Sequence, residues 1–173
     1  MAPDLRSVLK SQYHAALAML RDAIKQCPDE EWASANHKNA FWQIAYHTLF
    51  FAHLYLMPEP SAFRPWREHQ RGVQHEDGIA GPDDPASGLP LIPNPYTKAQ
   101  VLEYWEICDR MVDDAVDRLD LESPHSGFSW YKVSKLEHQL VNLRHIQHHT
   151  AQLADRLRTA KDIGINWVGS RAH

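Results

Sequence analysis

Wound as a helix, the segment 39–57, NAFWQIAYHTLFFAHLYLM, is apolar around nearly its whole circumference. Such a helix cannot lie on a surface with one face in water. It belongs inside a bundle, with other helices around it. The rest of the chain supplies them. Over 4–27, Leu9, Tyr13, Leu17, Leu20 and Ile24 fall on one helical stripe, which Pro28 and the acidic residues after it end. A short connection containing Trp32 then leads to 39–57. Thr97 and Gln100 form a capping box that opens a third helix. Val101, Trp105, Cys108, Val112, Ala115 and Leu119 follow in it at four-three spacing, a core-facing seam. Residues 120–127 break it, and Ser134 with Glu137 opens a fourth and longest helix over about 135–160. No strand pattern competes, and no repeat of solenoid length is present. The expected fold is all-α: one four-helix-bundle domain over 1–173.

The connection between the second and third helices, 57–97, is of another kind. It holds eight of the eleven prolines and four of the seven glycines. Loops of this length are uncommon in compact domains and are often functional. Two readings stand: an extended connection crossing the bundle with a helical turn near Trp66, or a plain linker between antiparallel or parallel neighbours. In the first, the loop could cover a site.

Charge and cysteine content narrow the classes of function. The formal net charge is −4 and no Lys- or Arg-rich run is present, which argues against nucleic acid as a partner. No stretch approaches the roughly 20 apolar residues of a membrane span, so no membrane partner is expected. The opening MAPDLRSVLK lacks the basic-then-apolar pattern of a secretory signal. Cys27 and Cys108 both sit in helical patterns and read as small buried hydrophobes. A reducing cytoplasm fits these features.

Histidine is the unusual residue: twelve among 173. Two of them, His145 and His149, lie four apart on the last helix and project from one face, the spacing by which one helix offers two imidazoles to one ion. The zincin motif shares that separation but places a glutamate after the first histidine; here Ile146 stands there, so a glutamate-base protease is excluded. His47 is the natural third ligand. It stands amid the all-apolar second helix on a stripe with Ala40, Ile44, Phe51 and Leu54, where an unpartnered imidazole is costly to bury. Three histidines leave an open position on a divalent ion, zinc or nickel ahead of iron or manganese. An open position points to chemistry rather than scaffolding.

Each residue also has a plainer reading. A lone histidine on an apolar face is commonly a hydrogen-bonded core residue, and the pair could be a solvated face. Against this, Asn142 and Gln152 lie on the same stripe between Leu140, Leu143 and Leu153, and a buried polar stripe has to be satisfied. Gln152 is either an outer partner that orients a ligand or a core amide. His138 reads as a partly exposed first-turn residue or as part of the pocket mouth. His148, His53 and His14 are expected to lie away from the site. Trp130, Tyr131 and Trp167 are pocket walls or packing aromatics. A ferritin-like di-iron site is disfavoured, because the lone E-x-x-H match, Glu122 to His125, spans Pro124 in a loop.

Through these residues the chain resembles the DinB-like metal-binding bundles. In that family the second helix supplies one histidine and the last helix two more, in a pattern close to H-x-x-x-H-x-x-Q. Here the counterparts are His47 and the run His145-Ile146-Gln147-His148-His149-Thr150-Ala151-Gln152. The likeness runs from the first helix to about residue 160. Relatives often carry Gly where Ala151 stands and a basic residue where Thr150 stands, and the 57–97 connection and the tail Ile165-Asn166-Trp167-Val168 are less typical. Characterised relatives include transferases and an isomerase that use a low-molecular-weight thiol such as bacillithiol or mycothiol. The resemblance implies a metal that binds this thiol and lowers its pKa, so the nucleophile belongs to the cosubstrate rather than to Cys27 or Cys108. A hydrolase that activates water on the ion is equally simple physically. The expected function is a metal-dependent transferase or hydrolase acting on a small molecule. The alternatives are a non-catalytic metal- or ligand-binding bundle and a structural dimer whose histidines are relics. Bundles with this apolar surface often pair, so a homodimer is expected.

Overall fold

The computed structural model describes residues 4–75 and 94–171. Its helices are α1 (Leu5–Gln26), α2 (Asp29–Trp32), α3 (Phe41–Tyr55), α4 (Lys98–Arg118) and α5 (Lys135–Lys161), with one 3-10 turn, Pro60–Ala62. The four long helices stand where hydropathy periodicity puts them, and no strand occurs among the described residues. The connection around Trp32 contains a single helical turn, α2. None of these helices is long and apolar enough to cross a membrane.

The ends follow local chemistry. Asp4 caps α1 by accepting from the N–H groups of Arg6 and Ser7, both at 3.2 Å. Thr97 and Gln100 form the full reciprocal box at the start of α4. Ser134 accepts from Glu137 N–H at 3.1 Å and so starts α5. That helix ends on Asp162, left-handed at φ 55°, with Asp162 N–H reaching Arg158 O at 2.9 Å and Ile163 N–H reaching Leu157 O at 3.2 Å. An aspartate here fills the place usually given to glycine. Gly127 is a position where glycine is required: φ is +87° and a Cβ would stand 2.1 Å from Pro58 O.

Eleven of the fifteen residues of α3 are buried, which makes it the central element. Around it, α5 packs on both α3 and α1, and α4 packs on both α1 and α3, while α1 and α3 hardly touch. The helices thus form a square with α1 diagonal to α3. Specific bonds give the directions. Arg6 at the start of α1 donates to the carbonyls of Val116 and Leu119 at the end of α4, and Trp105 Nε1 donates to Leu17 O at 2.7 Å, so these two helices are antiparallel. Tyr13 donates to Gln139 Oε1 at 2.8 Å and Lys161 pairs with Glu30 at 3.0 Å, so α1 and α5 run together. Gln139 Nε2 bonds Tyr55 O at 3.2 Å, while Arg156 bonds Asn39 O at 2.8 Å, so α3 opposes α5. The order is up, down, down, up.

It follows that α3 and α4 are parallel neighbours, and the chain between them has to travel back along the bundle. Parallel neighbours are compatible with both readings of the connection, the crossing one and the plain linker. The described ends of that connection are tied to each other and to the bundle. Trp66 stacks on Tyr104 at 5.0 Å and 6°. The Tyr96 hydroxyl donates to Glu68 O at 2.8 Å and accepts from Gln70 N–H at 2.7 Å. The expected helical turn near Trp66 is a turn closed by His69 N–H to Trp66 O at 2.9 Å, with the 3-10 turn just before it. The central part of the proposed lid, 76–93, lies outside the described residues.

Candidate metal centre

Because α3 and α5 are adjacent and antiparallel, His47 faces the pair on α5. His47 Nε2 lies 3.0 Å from His145 Nε2. The ring centroids are 5.0 Å apart for His47 and His145, 4.6 Å for His47 and His149, and 4.5 Å for His145 and His149. One nitrogen from each ring lies within 4.8 Å of the others, the only such group of His, Cys, Asp or Glu among the described residues. Phe51 walls one side, its centroid 4.8 Å from His47 and 5.6 Å from His145.

The outer nitrogens explain which atoms face inward. His47 Nδ1 is 2.6 Å from the backbone carbonyl oxygen of Gln74. A carbonyl can only accept, so Nδ1 carries the proton and Nε2 presents its lone pair. His149 Nδ1 is 2.7 Å from Gln152 Oε1, which does the same for the second ring. His145 has its pKa pushed down to about 3, first by burial and then by His47, His149 and His148 beside it. At neutral pH it is an uncharged base. The cluster therefore offers nitrogen lone pairs in a place where protons are unwelcome, the donor set of a transition-metal ion.

Other expectations meet different fates. Gln152 is exposed rather than a core amide, and its oxygen is the partner of His149. Leu140 is 56% exposed, so it does not flank a buried stripe, whereas Leu153 is buried. His138 is 0% exposed, not a partly exposed first-turn residue: it sits in a box of Tyr55, Phe128 and Tyr131 with centroids at 4.8, 4.7 and 5.1 Å. The loop 124–133 folds over the start of α5 and closes that box, an effect of tertiary packing that no helical period announces. His148 is exposed. His53 turns to the Tyr104 hydroxyl, 3.1 Å away, and His14 lies between Asp109 and Asp113 of α4, at 2.7 and 3.1 Å. Trp130 and Trp167 are 52% and 79% exposed. Trp167 lines a cavity of 340 Å³ with Gln12, Ala15 and Leu143, on the side where α1 meets α5, and Tyr131 packs on Tyr55.

Gln74 was not legible as part of the site. It acts through its backbone, which any residue supplies, so no side-chain signal marks it. The two cysteines are buried and unpaired, and burial pushes the Cys27 thiol up to about 12 and that of Cys108 higher still.

Compared with known proteins, residues 12–153 match the family model of the DinB superfamily. Over 47 residues the chain is 45% identical to a probable calcium-binding protein, CML36, of Arabidopsis thaliana. That stretch is 27% of this chain and 22% of the relative, so the chain spans about a fifth of that protein's length. No segment of this chain has the Asp-x-Asp/Asn-x-Asp/Asn-Gly spacing of an EF-hand calcium loop. No solved structure matches the chain.

Proposed function

The chain belongs to the DinB superfamily, and on that premise we propose that it is a metal-dependent enzyme in which His47, His145 and His149 hold one divalent ion and a small molecule is the substrate. The observation that carries the reading is the convergence of three imidazoles, two of which have their outer N–H groups engaged so that the inner nitrogens are bare. Imidazole nitrogens on one ion sit about 3.0–3.4 Å from each other, given bond lengths near 2.1 Å. The 3.0 Å between His47 and His145 fits that span. An all-imidazole set suits zinc, nickel or iron better than manganese, which prefers oxygen donors.

A bound divalent ion supplies Lewis acidity, which lowers the pKa of a coordinated thiol or water into the neutral range. The protein's own residues do the rest. Gln74 and Gln152 hold two rings in one tautomer. Phe51 excludes water from one side. Cys27 and Cys108 stay thiols at neutral pH, which supports a nucleophile brought in by a low-molecular-weight thiol cosubstrate or by water.

Elemental analysis of the purified chain tests the site: about one ion per chain is expected, and none in His145→Ala at unchanged helical content. One tightly held ion retained by that variant would remove the assignment. Assays of the metal-loaded chain on an electrophile, with and without an added thiol, separate transferase from hydrolase. Absence of both activities at full metal occupancy leaves a binding module.

A further inference from the structure

The three imidazoles differ in what holds their outer nitrogens. His47 has the Gln74 carbonyl and His149 has Gln152. His145 Nδ1 is buried and has no hydrogen-bond partner among the described residues. The same is true of Asn142 Oδ1, one turn nearer the start of α5, and of both ring nitrogens of His138, one turn before that. Spacings of four and three residues put 138, 142 and 145 on one face of the helix within about 10 Å. Four of the seven buried side-chain atoms without a partner among the described residues thus lie along one strip, where scattered gaps would be expected from chance.

The atoms on that strip are complementary. With Nε2 of His145 given to the ion, as the functional reading has it, its proton sits on Nδ1, a donor lacking an acceptor. The Asn142 amide is oriented by its Nδ2, which donates to Ala52 O at 3.2 Å, so Oδ1 is an acceptor lacking a donor. A neutral His138 brings one donor and one acceptor. Each such group left unmet costs about 1–3 kcal/mol, and buried polar groups in native proteins are met by protein or ordered water. A water between Asn142 and His145 accepts from one and donates to the other.

We propose that Asn142 and His138 are positioning residues for His145: ordered water takes up the His145 Nδ1–H and donates to Asn142 Oδ1, and the hydrogen-bonded strip continues to His138. His145 thereby gains what Gln74 and Gln152 give the other two rings. The inference rests on the reading of His145 as a metal ligand.

Two measurements on the full-length chain test it. Cobalt(II) binding, followed by chelator competition, should weaken about 10–100-fold in Asn142→Leu. It should weaken in His138→Phe as well. Asn142→Asp keeps the acceptor but cannot donate to Ala52 O, so it should bind cobalt(II) within about threefold of wild type if the acceptor is what matters. Were Asn142 only a cap on the last turn of α3, Asp and Leu variants would be equally impaired, and that result overturns the proposal. So does wild-type affinity in both Asn142→Leu and His138→Phe. The His145 Nδ1–H proton of the zinc-loaded chain gives the second measurement: held by ordered water against Asn142, it should be visible in ¹H–¹⁵N spectra of the wild type and lost to solvent exchange in Asn142→Leu, and an equally visible proton in both overturns the proposal. If Asn142→Leu does not fold, the Asp and His138→Phe variants decide. Failure of the wild type to bind any metal sinks the functional reading and the proposal with it, whereas unimpaired variants of a metal-binding wild type overturn the proposal alone.

Discussion

Lowering the pH from 7 to 5 should unfold this protein more readily than most, through buried histidines that are not among the three candidate ligands. His53 and His138 both have pKa values pushed down to about 4, His53 by burial alone and His138 by burial and then by Lys135. Unfolded, each takes a proton near pH 6.5. Between pH 6.5 and 4 the unfolded chain therefore binds protons that the folded chain refuses, and stability falls as pH falls. Below pH 4 both forms are protonated and the loss levels off. From pH 7 to 5 each group contributes about 2 kcal/mol, an upper bound because local relaxation and water relieve part of the burial. Together they remove up to about 4 kcal/mol from a total that is typically 5–15 kcal/mol. His145 pulls in the same direction. Carboxylates do not confuse the window: Asp113, held low chiefly by Arg171, loses its contribution only as pH falls below the ordinary carboxylate range near 4. Urea unfolding of the chelator-treated chain, followed by circular dichroism, measures the effect. With a slope of about 2 kcal/mol per molar, the midpoint should drop by about 2 M between the two pH values. In His53→Phe the drop should be smaller by about 1 M. Equal drops in wild type and variant would refute the assignment of the slope to this residue.

Further outcomes are expected. Gln152→Leu removes the acceptor of His149 Nδ1–H from an exposed position, so metal affinity should fall at least about tenfold with stability unchanged, as read by chelator competition and thermal melting. Thr97→Ala takes away the capping box of α4 and should cost about 1 kcal/mol in chemical denaturation. Cys27 and Cys108 should react with an aromatic disulfide reagent at pH 8 only at the rate of unfolding, and a fast stoichiometric reaction of the native chain would contradict their burial.

The bundle was legible because its signals are local and redundant. The stripe of Leu9, Tyr13, Leu17, Leu20 and Ile24 is buried throughout, as is the α4 seam from Val101 to Leu119. A period fixes the buried faces of α1 and α4, and side-chain caps fix the starts of α1, α4 and α5, while α3 begins at Ala40 without one. His145 and His149 were legible as a pair for the same reason, since four-residue spacing is a property of one helix. That His47 meets them is a tertiary fact. It was inferred from the cost of burying an imidazole in an apolar helix, and the adjacency of α3 and α5 supplies it. What escaped were features made by irregular backbone. The Gln74 carbonyl has no side-chain signature, and the burial of His138 depends on where the loop 124–133 closes. Lys135 is likewise buried at the start of α5, donating to Pro58 O at 2.7 Å and to Ser126 O. Gln152 and Leu140 show the converse error: a stripe drawn on a helical wheel does not say how far along the helix its neighbours reach.

The up, down, down, up order has a consequence for when the site can exist during synthesis. His47 and His145 are 98 residues apart, and the helix that brings them together, α5, leaves the ribosome after the other three long helices. A nascent chain that has already released α3 carries only one of the three candidate ligands, His47, and a single imidazole has no special hold on a metal. On the proposed function, occupancy rises only after α5 has docked, so in pulse-labelling the arrival of the ion would time the closing step of assembly rather than its beginning.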